Sequence, residues 1–170
     1  DNTDKVSIYI SECENLGIKV LPPSVNESDR NFTVVGDNIR FGMLAIKNLG
    51  EAFIKIIIAE RNLNGKFVSF YDFCKRTYSR DMKKRAMEGL IRSGALDHLD
   101  ANRNQMMMAM EQIFTVLESK RKNNVEGQIG FFDDESLLVD NGPKLPDVEE
   151  YSIADLLAME KQTTGMYLSG

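Results

Sequence analysis

Between residues 42 and 122, apolar side chains recur at helical spacing in short stretches, each closed by turn-forming residues, and this punctuated pattern limits the fold more than any other feature. Leu44, Ala45 and Ile46 close one short helix, and Lys47-Asn48-Leu49-Gly50 interrupts it. The pattern resumes over residues 51–61, where Phe53, Ile54, Ile57 and Ile58 share a face, and stops at Asn64-Gly65. Ser69 opens the next segment, with Asp72 three residues on as its capping partner. Ser79 is expected to cap a helix carrying Met82, Ala86, Leu90 and Ile91, which Gly94 ends. Asp97 or Asp100 is expected to cap the longest helix, whose stripe is Met106, Met110, Ile113 and Leu117. Methionine in such a stripe reads as adaptable core packing.

The flanks are simpler. Val6, Ile10, Cys13 and Leu16 mark an N-terminal helix, with Gly17 as its C-terminal cap. Residues 18–21 read as a short strand that Pro22-Pro23 stops. Phe32-Thr33-Val34-Val35 and Ile39-Arg40-Phe41 flank Gly36-Asp37-Asn38, a hairpin signal. Beyond Lys122 the periodicity fades; Asn141-Gly142-Pro143 and Pro146 read as linker, and a last helical patch covers residues 153–161. The expected fold class is mainly α, with a small β-hairpin and a C-terminal linker.

Composition removes several chemistries. Cys13 and Cys74 form no C-x-x-C pair, which excludes a disulfide framework and a zinc ribbon and leaves two reduced thiols of a cytosolic protein. His98 is the single histidine, which removes most Cys-His, Ser-His and multi-histidine metal chemistry. No apolar run approaches the roughly 20 residues of a membrane helix; Lys55 interrupts the densest stretch. The chain opens Asp1-Asn2-Thr3 without a signal peptide or a start Met, and the expectation is a piece of a larger protein. The net charge of −5 conceals an asymmetry: residues 41–124 carry +6 and residues 125–170 carry −8. A basic middle beside an acidic tail suits a module that meets a polyanion, although a solvated surface with chance clustering reads the same way.

The break at Lys47-Asn48-Leu49-Gly50 carries the chemistry. Asn48 and Gly50 both tolerate positive φ, and the expectation is that both use it; Leu49 between them would be the buried pin. The helix that starts at Glu51 would then present free N–H groups to a phosphate, with Lys47 adding charge. Lys55, Lys83, Lys84, Arg85 and Arg92 are candidate helpers, equally readable as solvated helix faces. A second break, Ser93-Gly94-Ala95-Leu96, lacks the paired form, so phosphate contact at Gly94 and simple packing both stay open. The acidic run Asp133-Asp134-Glu135 reads as solvated charge rather than a metal cage.

Residues 46–52 resemble the helix-hairpin-helix consensus. Tyr9-Ile10-Ser11-Glu12-Cys13, Leu16-Gly17-Ile18-Lys19-Val20-Leu21-Pro22-Pro23, Val25-Asn26-Glu27-Ser28, Ile39-Arg40-Phe41-Gly42, Phe70-Tyr71-Asp72-Phe73-Cys74, Leu90-Ile91-Arg92-Ser93-Gly94-Ala95-Leu96-Asp97 and the closing Gly165-Met166-Tyr167-Leu168-Ser169-Gly170 resemble, in order, the bacterial DNA polymerase III alpha subunits. Asn48 stands where the consensus has its first hairpin glycine. The resemblance implies that residues 1–38 end a fingers region, 39–124 form a tandem helix-hairpin-helix module, and 125–170 form an acidic linker toward an oligonucleotide-binding domain. It implies a parent DNA-directed DNA polymerase that uses magnesium and deoxynucleoside triphosphates in the cytoplasm, within the nucleoid-associated replisome. The family's palm carboxylates lie upstream of Asp1, so this stretch is expected to hold no catalytic residue and no cofactor of its own. Its expected partners are duplex DNA through phosphates, the rest of the polymerase chain, and the sliding clamp, with no membrane.

The clamp expectation rests on Gln128-Ile129-Gly130-Phe131-Phe132, which resembles the clamp-binding pentapeptide of bacterial replication proteins, with Phe131 where Leu or Met is commoner. Gln128 would hydrogen-bond a pocket rim while Ile129 and the two phenylalanines anchor. The alternative is that these aromatics pack back onto the 106–117 helix. For the chain as a whole, the rival reading is a structural or protein-interaction module whose hairpins serve only packing.

Overall fold

A computed structural model describes residues 2–125 and 141–168. Helix α1 (Asn2–Asn15) ends where Gly17 takes φ +80°, so that the Ile18 N–H donates back to the Cys13 carbonyl at 2.8 Å. Of its expected stripe, Ile10 is buried, Cys13 half-buried and Leu16 exposed. Strands β1 (Val20–Leu21), β2 (Thr33–Val35) and β3 (Asn38–Arg40) form a sheet in the order β1-β3-β2. The β2–β3 hairpin is antiparallel, pairs Val35 with Asn38, and turns on Gly36 at φ +60°. The expected 18–21 strand shortens to two residues and adds to β3 in parallel, with Val20 opposite Ile39.

A single 3₁₀ turn (Met43–Ala45) precedes α2 (Glu51–Asn64), α3 (Phe70–Thr77), α4 (Lys84–Arg92), α5 (Arg103–Val125) and α6 (Ile153–Thr164). The Ser69 hydroxyl accepts from the Asp72 N–H at 2.9 Å, so α3 starts as its sequence predicts. Two other starts differ. Ser79 accepts from the Asp81 N–H at 3.3 Å and closes only a local turn, and α4 begins after Lys83 instead. The cap of α5 is Asn102, whose side chain accepts from the Gln105 N–H at 2.7 Å while Gln105 accepts from the Asn102 N–H at 2.9 Å. The two aspartates expected there are engaged elsewhere: Asp97 pairs with Arg103, and Asp100 accepts from the Phe70 N–H at 2.9 Å.

These helices enclose one core in which Phe41, Met43, Phe53, Phe70, Phe73, Met87 and Leu96 are fully buried. Phe73 sits at its centre, edge-on to Phe67 at 4.9 Å and to Phe53 at 6.4 Å. Met106, Met110, Ile113 and Leu117 all turn inward from α5, as their spacing predicts. Cys74 is buried beside them, and burial pushes its thiol well above the usual range.

Residues 141–168 pack onto this body. A Cβ on Gly142 would stand 2.4 Å from the Tyr71 ring, so only glycine fits there. The carbonyls of Pro146, Val148 and Glu149 accept from the Gln105, Asn102 and Asn104 side chains, and the Glu150 carboxylate accepts from the Arg103 and Asn104 N–H groups. Glu150 thereby serves donors that the start of α5 leaves open. From α6, the buried Glu160 meets the Arg103 guanidinium at 2.9 Å; Arg103 also holds Asp97 at 2.8 Å and the Arg92 and Leu156 carbonyls. A stretch expected as linker is thus stitched to α5 through backbone carbonyls and one buried ion pair.

Candidate nucleic-acid interface

The first hairpin is built by the 3₁₀ turn, a four-residue reversal and α2. Ile46 and Leu49 are buried beneath it, while Lys47, Asn48 and Gly50 face solvent. Leu49 is therefore the pin its position predicts. Asn48 takes φ +69°, the sole non-glycine with positive φ among the described residues. Gly50 does not share that conformation: its φ of −84° and ψ of 157° are those of an ordinary helix N-cap. The expected positive φ at Gly50 is corrected on that ground, since a residue capping α2 must lie in the extended region. No atom stands within 4 Å of where a Gly50 Cβ would be, so nothing inside the molecule demands a glycine.

What the glycine leaves is access. Neither a side chain nor a backbone carbonyl among the described residues takes the N–H groups of Gly50, Glu51 or Ala52, and no side chain caps α2. These donors point out at the positive end of a 14-residue helix. The Lys47 N–H is spent internally on the Thr163 carbonyl at 2.8 Å, leaving its ammonium as the exposed contribution. Glu51 is held by Arg30 in an exposed ion pair, and that hydrogen bond keeps its carboxyl below the usual range. Its negative charge beside the open donors is thereby offset.

Helix α4 is pressed directly onto the hairpin. A Cβ on Gly89 would lie 2.6 Å from the Lys47 carbonyl oxygen, so the contact exists only because residue 89 is glycine. Arg85 and Arg92, four residues before and three after, share that face and flank the hairpin. Arg85 is exposed; Arg92 reaches the Gln162 amide of α6 at 3.5 Å and has a buried Nε without a partner among the described residues. Lys55 is exposed one turn along α2. Lys83 and Lys84 lie at the far end of α4, and Lys84 is paired with Glu111 at 2.5 Å.

The second break is closed. Gly94 is buried at φ +87°, and the space where its Cβ would stand belongs to the Arg103 guanidinium at 2.8 Å and the Asp97 carboxylate at 3.1 Å. The structure therefore gathers Lys47, Asn48, Leu49, Gly50 and Glu51, brings Arg85 and Arg92 beside them, and sets Lys83, Lys84 and Gly94 apart. Gln128, Ile129, Gly130, Phe131 and Phe132 lie outside the described residues. Three contributors had not been singled out from sequence: Gly89, whose signal is a glycine inside a helical stripe, and Arg30 and Thr163, which carry none.

A family model described as a helix-hairpin-helix motif matches residues 17–106. Along essentially its whole length the chain is also similar to proteins named DNA polymerase III subunit alpha. It is 37% identical to that of Borreliella burgdorferi, covering 100% of this chain and 15% of the relative. The Bacillus subtilis protein is 37% identical over 99% of this chain and 15% of its own length, and the Xylella fastidiosa protein 35% identical over 100% and 14%. The chain thus spans about 15% of the curated relatives it matches.

Proposed function

The chain belongs to the helix-hairpin-helix family and matches a segment of DNA polymerase III alpha subunits, and from that premise we propose that it binds duplex DNA through phosphates, without reading base sequence, as part of a bacterial replicative polymerase in the cytoplasm. The observation that carries this reading is the set of open N–H groups at Gly50, Glu51 and Ala52 beside the exposed Lys47 ammonium. Backbone donors at a helix start suit a phosphate oxygen and carry no sequence information. The experiment is a salt titration of binding to duplexes of unrelated sequence. Counterion release requires log affinity to fall linearly with log salt, by about 0.9 per phosphate contact, and equally for all sequences. A module whose hairpins serve only packing binds no duplex even at low salt.

In this reading nucleotidyl transfer belongs to the parent chain. Among the described residues no group of three His, Cys, Asp or Glu side chains is placed to hold a metal ion. No described helix is long and apolar enough to cross a membrane. The segment Gln128-Ile129-Gly130-Phe131-Phe132 is proposed, on its sequence alone, to bind the sliding clamp. Its test is the chain with Gln128 and Phe132 both replaced by Ala, which loses clamp binding while keeping duplex binding.

A further inference from the structure

Where α4 begins, residues 78–83 face the C-terminal half of α5 across an open cleft of about 530 Å³. One wall supplies Arg80 and Lys83, the other Arg121 and Lys122, all exposed; none of the four side chains has a hydrogen-bond acceptor among the described residues, though Arg121 and Lys122 lie within the field of Glu118. The lining's one carboxylate, Glu118, is taken by the Tyr78 hydroxyl, and that hydrogen bond holds it in the charged form. Half-buried Phe114 also lines the cleft, from α5. The cleft is therefore rich in donors and poor in free acceptors, which suits an acceptor-rich polyanion with an apolar face.

Its position on α4 suits the duplex already proposed as that polyanion. Lys83 precedes Gly89, the residue in contact with the first hairpin, by six positions of α4, or about 9 Å along the helix. Duplex DNA rises about 3.4 Å per nucleotide on each strand, so this spacing along α4 corresponds to about three nucleotides. We propose that this cleft is a second backbone-contact site, in which Arg80, Lys83, Arg121 and Lys122 neutralise phosphates of the duplex held by the first hairpin and Phe114 packs against its sugars. The inference rests on the duplex-binding reading and extends it to residues outside the hairpin motif.

The test uses the chain carrying Lys83→Gln, Arg121→Gln and Lys122→Gln together, measured by fluorescence anisotropy against a labelled duplex over a salt series. These side chains are exposed and accept no structural duty in the core, so the fold is expected to survive, and circular dichroism verifies it. The salt slope is expected to fall by about 2 to 3 units, against about one for Lys47→Ala. Since the sequence has no tryptophan, Phe114→Trp adds a single local reporter. Its emission is expected to shift on duplex addition, and to stop shifting when combined with the triple substitution. If the triple variant keeps the wild-type slope while Lys47→Ala lowers it, the cleft proposal is overturned and the hairpin reading stands. A Phe114→Trp variant whose emission stays silent under saturating duplex overturns it as well, and a wild-type chain that binds no duplex overturns both.

Discussion

Gly50→Asp is expected to make the protein more stable and its DNA binding worse, a combination that a merely structural hairpin does not produce. Gly50 already has N-cap geometry, with no side-chain cap and no neighbour within 4 Å of a new Cβ. Aspartate adopts that φ and ψ without strain and can accept the open N–H of Ala52 or Phe53. Replacing glycine by a capping side chain contributes a few tenths of a kcal/mol, and a negative charge at a helix start about 0.3–1 kcal/mol. Repulsion from Glu51 is reduced because Arg30 already pairs with it. The expected net gain is about 0.5–1 kcal/mol, which for a domain of this size raises Tm by about 1–4 °C. The same carboxylate would occupy the donors proposed to hold a phosphate and oppose its charge. Two like charges about 4 Å apart repel by about 1 kcal/mol in bulk water and about 4 near a protein surface, so affinity at low salt is expected to drop about fivefold or more. Thermal unfolding by circular dichroism and anisotropy against a duplex measure the two effects on one sample. A variant that melts higher yet binds as tightly as the parent would refute the assignment of these donors to phosphate.

Other expectations are briefer. Gly89→Val forces a side chain into the 2.6 Å approach to the Lys47 carbonyl, so urea unfolding should report a loss of about 1–3 kcal/mol together with weaker duplex binding; an unchanged midpoint would disprove the close contact. Glu160→Ala leaves the Arg103 guanidinium buried with Asp97 as its remaining carboxylate, and the same assay should show a loss of about 3 kcal/mol; a loss below about 1 kcal/mol would mean that the pair is solvated. Partial burial depresses the His98 pKa below its ordinary value, and its Nε2 lies 2.9 Å from the Asn26 amide, which also donates to the Phe67 carbonyl. The unfolded state then binds more protons, so this stability is fully present above pH 6.5 and is lost as pH falls through the folded pKa. His98→Gln should flatten that part of the stability profile, and an unflattened profile would place its cause elsewhere.

The sequence made the helices legible because their signals are local. The 106–117 stripe, the Ser69 cap and the Gly17 and Gly65 stops are each written within a few residues. Starts were read less well where capping residues compete: Asp97, Asp100 and Asn102 precede α5 at short intervals, and only tertiary partners direct the first two to Arg103 and Phe70. The first reversal and its buried Leu49 were legible in sequence and its backbone was misread, because Asn48 and Gly50 both tolerate positive φ while the reversal needs it once. Docking of residues 141–168 was not legible at all. The carbonyls of Pro146, Val148 and Thr163 do part of the holding, and a carbonyl is the same whatever side chain its residue carries; the α5 partners of Glu150 and Glu160 lie more than 45 residues away in sequence.

Two breaks of similar sequence need not make two phosphate sites, and the accounting of backbone donors separates them. In the second, the Gly94, Ala95 and Asp97 N–H groups donate to the Ile91, Leu90 and Gly94 carbonyls, and Arg103 fills the remaining space. In the first, Gly50, Glu51 and Ala52 keep their donors free. Arg103 joins the closed break to the open one: it grips Asp97, the Arg92 carbonyl at the end of α4, and Glu160 and the Leu156 carbonyl of α6. Helix α6 in turn presents the Thr163 carbonyl to Lys47, while Gly89 lets α4 press against the same peptide. The open hairpin is therefore held from two sides by elements that Arg103 fixes to each other. Removing that cation should loosen Lys47 without touching the open N–H groups of Gly50, Glu51 and Ala52.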